Sequence, residues 1–520
     1  MRKIRIITFL SILFVTSSLA AKDITGIVFE DANQNLRLDS NEKGIPGVLV
    51  SNQKDVVKTD NEGKFKISIE EETIVFITKP AGYMTPQSAD QLPQFYYIHQ
   101  PKGSPALKYG GILPTGKLPK QLNFPLFKTA NSDTFDVIAF SDPQTRNHQE
   151  IDYVRDDVVA ELIGTNAVCG ITLGDIMYDN LSFYGRYNAV VSQIGIPFYN
   201  VPGNHDENYD SPDDHYALET FKRHFGPNYY SFDYGQVHFV VLDVVEYLGR
   251  NEKGNPRYQG RIGERQLQWL QNDLAFVPEN RLIVLTMHIP LFTTYGDGAA
   301  INVVDRGDLF EVLKNHDNVL ALAGHMHTLE HNFIGKELGC QGEKPIHQVI
   351  CAAVCGTWWT GPKDERGIPI ADQRDGSPNG YHIFTFEGNQ YREILKPAKF
   401  SADFQLRISS PVGTISKDEI GQQIIIVNVF DGSEKSIVTC QIDGLEFTPM
   451  QKTALKDPFY EQIYEQIKDE APDWISPENS THIWTMPLPT DLKPGVHKIM
   501  AKTIDQFGNE YGAAGVFEIE

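Results

Sequence analysis

Between residues 135 and 327 the chain repeats one device five times: an apolar run of strand length ends on side chains that can bind a metal. Ile138-Ala-Phe-Ser leads to Asp142-Pro143-Gln144, and Ile171-Thr-Leu-Gly leads to Asp175. Tyr199-Asn-Val-Pro-Gly leads to Asn204-His205-Asp206, Val284-Leu-Thr-Met to His288, and Leu322-Ala-Gly to His325-Met326-His327. The runs Phe135–Phe140, Ala167–Leu173, Pro197–Val201, Val237–Leu242, Leu282–Met287 and Val319–Ala323 are near-continuous hydrophobic stretches, the signature of strands buried on both faces. Between some of them lie segments of helical period: 148–163, with Ile151, Val154, Val158 and Leu162, and 263–277, with Leu267, Leu270 and Leu274. Alternating buried strands and helices predict an α/β layered core. Further strands at Gln348–Val354 and Tyr381–Phe386 extend its sheet. The carboxyl ends of strands in such sheets line the functional crevice, so five polar tips at those ends are expected to converge.

The flanks read differently. Short alternating runs from about 23 to 80, such as Ile24–Phe29 and Gly47–Ser51, predict a small β-sandwich over 22–82. Between those two runs lies Asp31-Ala-Asn33-Gln-Asn35-Leu-Arg37-Leu-Asp39-Ser-Asn-Glu42. Its oxygen side chains at loop positions 1, 3, 5, 9 and 12 match a twelve-residue calcium loop. Asp31, Asn33, Asn35, Asp39 and Glu42 are therefore candidate ligands for a structural calcium, although Leu36 replaces the usual glycine and no helices flank the loop. Segment 83–130 is rich in Pro, Gly and Tyr and is read as an ordered connection. The core is assigned to 131–397, and the alternating runs after 398 predict a C-terminal β-sandwich over 398–520 with one helix near Tyr460–Ile467.

The net charge of −22 disfavours nucleic acid or an anionic membrane surface as a stable partner. Residues 1–21 carry the pattern of a secretory signal: Arg2, Lys3 and Arg5, an apolar run from Ile6 to Val15, then a small-residue site around Ser18-Leu19-Ala20. Loss of its three basic residues takes the charge to −25, and no later stretch can span a membrane. The expected location is the periplasm or the extracellular space. Cys169, Cys340, Cys351, Cys355 and Cys440 are odd in number, which suits buried thiols better than a disulfide framework.

Carboxylate, amide and imidazole together suit borderline divalent ions such as Mn, Fe, Zn or Ni. The set is too large for one tetrahedral site, so two ions sharing a bridging carboxylate form the simplest arrangement. Such a pair can clamp a phosphoryl oxygen and generate hydroxide at neutral pH.

These five stretches, in this order, resemble the calcineurin-like metallophosphoesterases over roughly 134–390. That resemblance implies a β-sandwich core with helices. It implies Asp142 and His327 on a first metal, Asp175 bridging, and Asn204, His288 and His325 on a second. His205 would approach the substrate and protonate the leaving oxygen, with Asp206 orienting it. The family usually has a histidine where Gln144 stands. An amide is the weaker ligand, so Gln144 either binds the first ion weakly, binds it through water, or supports the site by hydrogen bonding. Lys102-Gly-Ser-Pro105, Pro114-Thr-Gly116, Phe225-Gly-Pro-Asn-Tyr-Tyr-Ser231 and Asp375-Gly-Ser-Pro-Asn-Gly-Tyr381 are similar to an exported bacterial group with this core between two β domains.

The expectation is an exported phosphoesterase acting on phosphate mono- or diesters through a metal-bridging hydroxide. The competing reading is a surface protein that binds a glycan or partner on a vestigial core. Tyr178, Asp179 and Tyr209 flank the motifs and are expected to support them. Trp358 and Trp359 either line the cleft or pack inside. Arg374 and Asp375 are read as a solvated loop, and His148, His215, His224, His316, His331 and His347 as surface or satisfied core histidines.

Overall fold

In the strand Thr134–Phe140, alternate side chains enter different cores: Val137 and Ala139 pack on one side, Ile138 and Phe140 on the other. This is the period-two division of a strand buried on both faces, and it sets the architecture. A computed structural model describes residues 22–469, 471, 472 and 474–520 of the chain; the signal segment read at 1–21 lies outside them.

The core consists of two mixed sheets rather than one. The first has the order Phe198–Val201, Cys169–Leu173, Thr134–Phe140, Gly380–Glu387, Gln390–Pro397. Its first three strands are parallel, and Gly380–Glu387 runs against them. The second has the order Tyr230–Tyr234, Val237–Val241, Leu282–Thr286, Val319–Ala323, Ile346–Ile350, Glu330–Ile334. Its four inner strands are parallel. Val137, Ala139, Ile171 and Leu173 of the first sheet share one core with Phe239, Val284 and Leu285 of the second. On the first sheet's other face, Ile138 and Phe140 pack against Val154, Val158, Tyr184 and Tyr187 of the helical segments His148–Leu162 and Tyr184–Val191. Trp269 and Leu270 of the helix Glu264–Leu274, and Leu309 and Phe310 of Arg306–Leu313, join the core of the second sheet. All five motifs sit just past the carboxyl ends of parallel strands, three in one sheet and two in the other.

The N-terminal part forms two four-stranded sheets among the described residues. The segment 83–130, read as a connection, supplies three of their strands: Tyr83–Met84, Tyr96–His99 and Leu122–Lys128. Leu122–Lys128 pairs in parallel with Lys22–Glu30, matching Gly26 to Leu122. A partner so distant in sequence leaves no local signal. The C-terminal part is again two sheets, centred on Ile424–Val429 and Gly495–Ile504, with the helix Pro458–Ile467 beside them. All five cysteines are buried as free thiols. No helix of the described residues is long and apolar enough to cross a membrane.

Candidate metal centre

Four donor atoms meet between the two sheets. His288 Nδ1–H donates to the Leu173 carbonyl at 2.8 Å, which turns Nε2 inward. His325 Nε2–H donates to the Ala300 carbonyl at 2.9 Å, which leaves Nδ1 inward. These two inward nitrogens lie 3.1 Å apart. Asn204 Oδ1 is 3.1 Å and Asp175 Oδ1 3.3 Å from His288 Nε2. Donors crowded this closely require a positive charge among them. Against the downward pull of burial, Asp175 pushes His288 up to about 9. Burial and the neighbouring His288 push His325 down to about 3. A divalent ion meets the same demand through all four donors, and the set is one that borderline ions favour.

A second group stands beside it. His327 Nδ1–H donates to the Gly356 carbonyl at 2.5 Å. Its Nε2 is then bare, 3.6 Å from Asp142 Oδ1. That oxygen is buried and has no hydrogen-bond partner among the described residues. An orphaned buried carboxylate oxygen facing a bare imidazole nitrogen fits a cation between them. Gln144 lies between the two groups. Its Nε2 donates to Asp175 Oδ2 at 3.3 Å, and its Oε1 is 3.9 Å from the Cys355 thiol. Asp175 thus faces His288 through Oδ1 and Gln144 through Oδ2.

The backbone is bent to bring these side chains in. Asp142, Gln144, Asp175, His325 and His327 all have positive φ, between 41° and 76°. Non-glycine residues rarely adopt this region, and each such residue costs of order 1–3 kcal/mol that the surrounding fold must offset. Gly324 has a steric role: a Cβ there would stand 2.4 Å from Ser141 Oγ and 2.6 Å from Asp142 Oδ2. Only hydrogen lets the histidine loop approach Asp142 this closely.

His205 joins the site, and Asp206 does not orient it. The His205 amide donates to Asp175 Oδ1 at 2.8 Å, its Nδ1 lies 2.5 Å from Asp179 Oδ1, and its ring stacks on Tyr178 with centroids 4.7 Å apart. Burial lowers its pKa, but Asp175 and Asp179 outweigh burial and hold the imidazole above its ordinary range. Asp206 turns back into the protein, accepting from Gly203 N at 3.0 Å, Ile176 N at 3.2 Å and the Tyr184 hydroxyl at 2.8 Å. Burial, with repulsion from Asp175, pushes it up to about 7. The tight turn Asn204–Asp206 sends adjacent side chains opposite ways, so neighbourhood in sequence misassigned the role. Asp179, a flanking residue expected to support the motifs, holds the imidazole.

Trp358 stacks on His327, with ring centroids 3.9 Å apart, and Trp359 is buried and donates to the Pro143 carbonyl at 3.1 Å. Arg374 and Asp375 are no solvated loop. The Arg374 amide donates to the His327 carbonyl at 3.2 Å. Asp375 is fully buried and accepts from Leu329 N at 2.6 Å and from His482 Nε2, in the C-terminal part, at 3.1 Å. In the N-terminal loop, the five candidate calcium ligands turn toward one another. Asp31 accepts from Leu36 N at 2.7 Å, Glu42 from Ala32 N at 3.1 Å and Asp39 from both asparagine amides. Leu36, at φ 63°, takes the left-handed conformation usually given to glycine. A cavity of about 660 Å³ lies elsewhere, lined by Glu70, Glu72, His99, Glu219 and Arg265 among others.

Three family models tile the chain. The model described as "N terminal of Calcineurin-like phosphoesterase" matches residues 32–109, "Calcineurin-like phosphoesterase" matches 135–329, and "C terminal of Calcineurin-like phosphoesterase" matches 349–511. Among curated proteins, the chain is 25% identical over 169 residues to the probable glycerophosphodiester phosphodiesterase GpdQ of Arcobacter nitrofigilis, covering 32% of this chain and 58% of that one. It is 26% identical over 141 residues to mouse acid phosphatase type 7, covering 24% and 29%. With purple acid phosphatase 23 of Arabidopsis thaliana it shares 28% identity over 157 residues, covering 28% and 31%. The matches therefore span little more than half of the first relative and under a third of the other two. A solved purple acid phosphatase, PPD1 of yellow lupin, aligns with a TM-score of 0.38 at 14% identity, over 69% of this chain and 68% of that one.

Proposed function

The chain belongs to the calcineurin-like phosphoesterases, and we propose that it is an exported, metal-dependent hydrolase of phosphate mono- or diesters. The observation that carries this reading is the convergence of His288 Nε2, His325 Nδ1, Asn204 Oδ1 and Asp175 Oδ1 about one point. Asp142 and His327, with Gln144, would hold one divalent ion, Asn204, His288 and His325 another, and Asp175 both. When bound, Mn, Fe, Zn or Ni would supply Lewis-acid charge and ready a water for attack at neutral pH.

The chain's own groups do the rest. The Asp179 carboxylate binds Nδ1–H of His205, so the Nε2 proton is the one to give to the departing oxygen. Tyr178 fixes the plane of that ring. Arg146, tied to Glu150 and to the Trp358 carbonyl, supplies a local positive charge beside Tyr178. An anionic ester approaching a protein of net charge −22 needs such local attraction. The Asp31–Glu42 loop is proposed to hold a structural calcium, and the basic and apolar pattern of residues 1–21 supports export.

The reading is tested with His325→Ala and Asn204→Ala on chromogenic phosphate mono- and diesters. Hydrolysis is expected to fall to background with circular dichroism unchanged. Full activity in either variant overturns it. At least two transition ions per purified chain, lost on chelation together with activity, would separate it from the binding-protein alternative.

A further inference from the structure

A second cluster of liganding side chains lies where the C-terminal sheets meet the core. His331 comes from the edge strand Glu330–Ile334, His382 from Gly380–Glu387 and Glu393 from Gln390–Pro397. Asp431 follows the C-terminal strand Ile424–Val429. His331, His382 and Glu393 have side chains at most 3% exposed, and that of Asp431 is 9% exposed. None of the four belongs to the candidate catalytic centre. The sequence had offered His331 only as a surface or satisfied core residue.

Geometry favours an ion. His331 Nε2 is 2.8 Å from Asp431 Oδ1 and 3.7 Å from Glu393 Oε1. His382 Nδ1 is 3.4 Å from Glu393 Oε2 and 3.9 Å from Asp431 Oδ2. Four donors placed tetrahedrally about Zn²⁺, each about 2.0–2.2 Å away, stand roughly 3.3–3.6 Å from one another. The two separations from His331 Nε2, 2.8 Å to Asp431 and 3.7 Å to Glu393, bracket that value.

Charge favours it too. Two carboxylates are buried side by side, and a single protonated imidazole would offset only one of them. The proton directions agree. His331 Nδ1 faces His347 Nε2 at 2.9 Å, and His347 Nδ1 faces the Tyr391 hydroxyl at 2.6 Å. With a proton on His331 Nδ1 the chain of donors is satisfied, and His331 Nε2 is left bare toward the carboxylates. Metal-bound histidines characteristically give their other N–H to such a partner. A cavity of about 20 Å³ adjoins the two carboxylates, lined by Glu393, Asp431, Gln405, Thr503 and Gln506 but by neither histidine. Thr503 is buried, and its Oγ1 has no hydrogen-bond partner among the described residues.

We propose that His331, Glu393 and Asp431 form a structural site for one zinc-like divalent ion that clamps the C-terminal sheets to the phosphoesterase core, with His382 bordering the two carboxylates. The three ligands are buried apart from the candidate catalytic centre, so the ion stabilises rather than catalyses. Nitrogen and oxygen donors without thiolate select a borderline ion, not copper(I). Because its ligands lie up to a hundred residues apart in sequence, the ion also makes core and C-terminal sheets unfold together.

The test is zinc content per full-length chain, measured by elemental analysis after equilibration with Zn²⁺ and removal of the free ion. Glu393→Gln keeps the side chain's shape but weakens its ligation, and is expected to carry one zinc fewer than the wild type, with ester hydrolysis retained. Equal zinc in two folded proteins overturns the proposal. Should Glu393→Gln fail to fold, the wild type decides. In crystals saturated with Zn²⁺, anomalous density between His331, Glu393 and Asp431 supports the site, and a flat map there overturns it. Density at Asp175 is scored separately, so failure of the structural site and failure of the catalytic reading are told apart.

Discussion

Asp179 Oδ1 lies 2.5 Å from His205 Nδ1, and this contact, rather than one from the adjacent Asp206, sets how the imidazole faces the metal centre. Asp179→Asn is therefore expected to lower kcat about 10- to 100-fold, with little change in KM or thermal stability. Asp206→Asn is expected to act on the fold, costing about 1–3 kcal/mol, because Asp206 accepts buried N–H and O–H donors. Steady-state kinetics and thermal melts of the two variants check the division. An Asp179→Asn protein with wild-type kcat would contradict it.

Gln144 stands where an imidazole would be the stronger ligand, and its amide leans on Asp175 at 3.3 Å. Gln144→His is expected to retain more divalent ion through dialysis against a weak chelator. Atomic absorption on the dialysed chains measures this. Retention equal to or below that of the wild type would mean that position 144 does not reach the first ion.

His238 offers a pH test away from the metal centre. It is buried between Asp233 and Asp273, at 2.8 Å from each, with Arg281 and Lys79 also facing Asp233. Burial pulls its pKa down, but the two carboxylates push it up to about 9 from the ordinary 6.5. A raised folded-state pKa means that the charged form is the stabilising one. The contribution is complete below about pH 6.5 and fades as pH rises through about 9, amounting to roughly a few kcal/mol. Melting temperature is thus expected to fall between pH 7 and 10 more steeply in the wild type than in His238→Gln. Parallel curves would remove His238 as the cause.

The N-terminal loop gives a calcium test. If Asp31, Asn33, Asn35, Asp39 and Glu42 hold an ion, millimolar Ca²⁺ is expected to raise the melting temperature by a few degrees, about 1–3 kcal/mol at saturation. Asp31→Ala is expected to abolish the rise. A calcium effect that persists in Asp31→Ala would place the ion elsewhere.

The candidate ligands could be read from sequence because each follows an apolar run whose carboxyl end faces the crevice, a relationship local to some six residues. His288 and His325 were legible in this sense long before any contact between them. What escaped was non-local or angular. The pairing of Gly26 with Leu122 turns a presumed connection into a strand. The tight turn at Asn204 directs Asp206 inward. His331 and Glu393 lie on separate strands and Asp431 just past a third, with no shared motif, and only the tertiary packing brings them within reach of one ion.

The buried pair Asp375 and His482 has a consequence for how the molecule can be divided. Asp375 also receives Leu329 N, two residues beyond His327, and its neighbour Arg374 donates to the His327 carbonyl. Cutting the chain at the apparent edge of the core, after residue 397, would leave the Asp375 carboxylate without its imidazole partner, one step from the candidate ligand His327. The C-terminal sheets are thus a buttress of the candidate centre, reaching the histidine loop through His482 and Asp375.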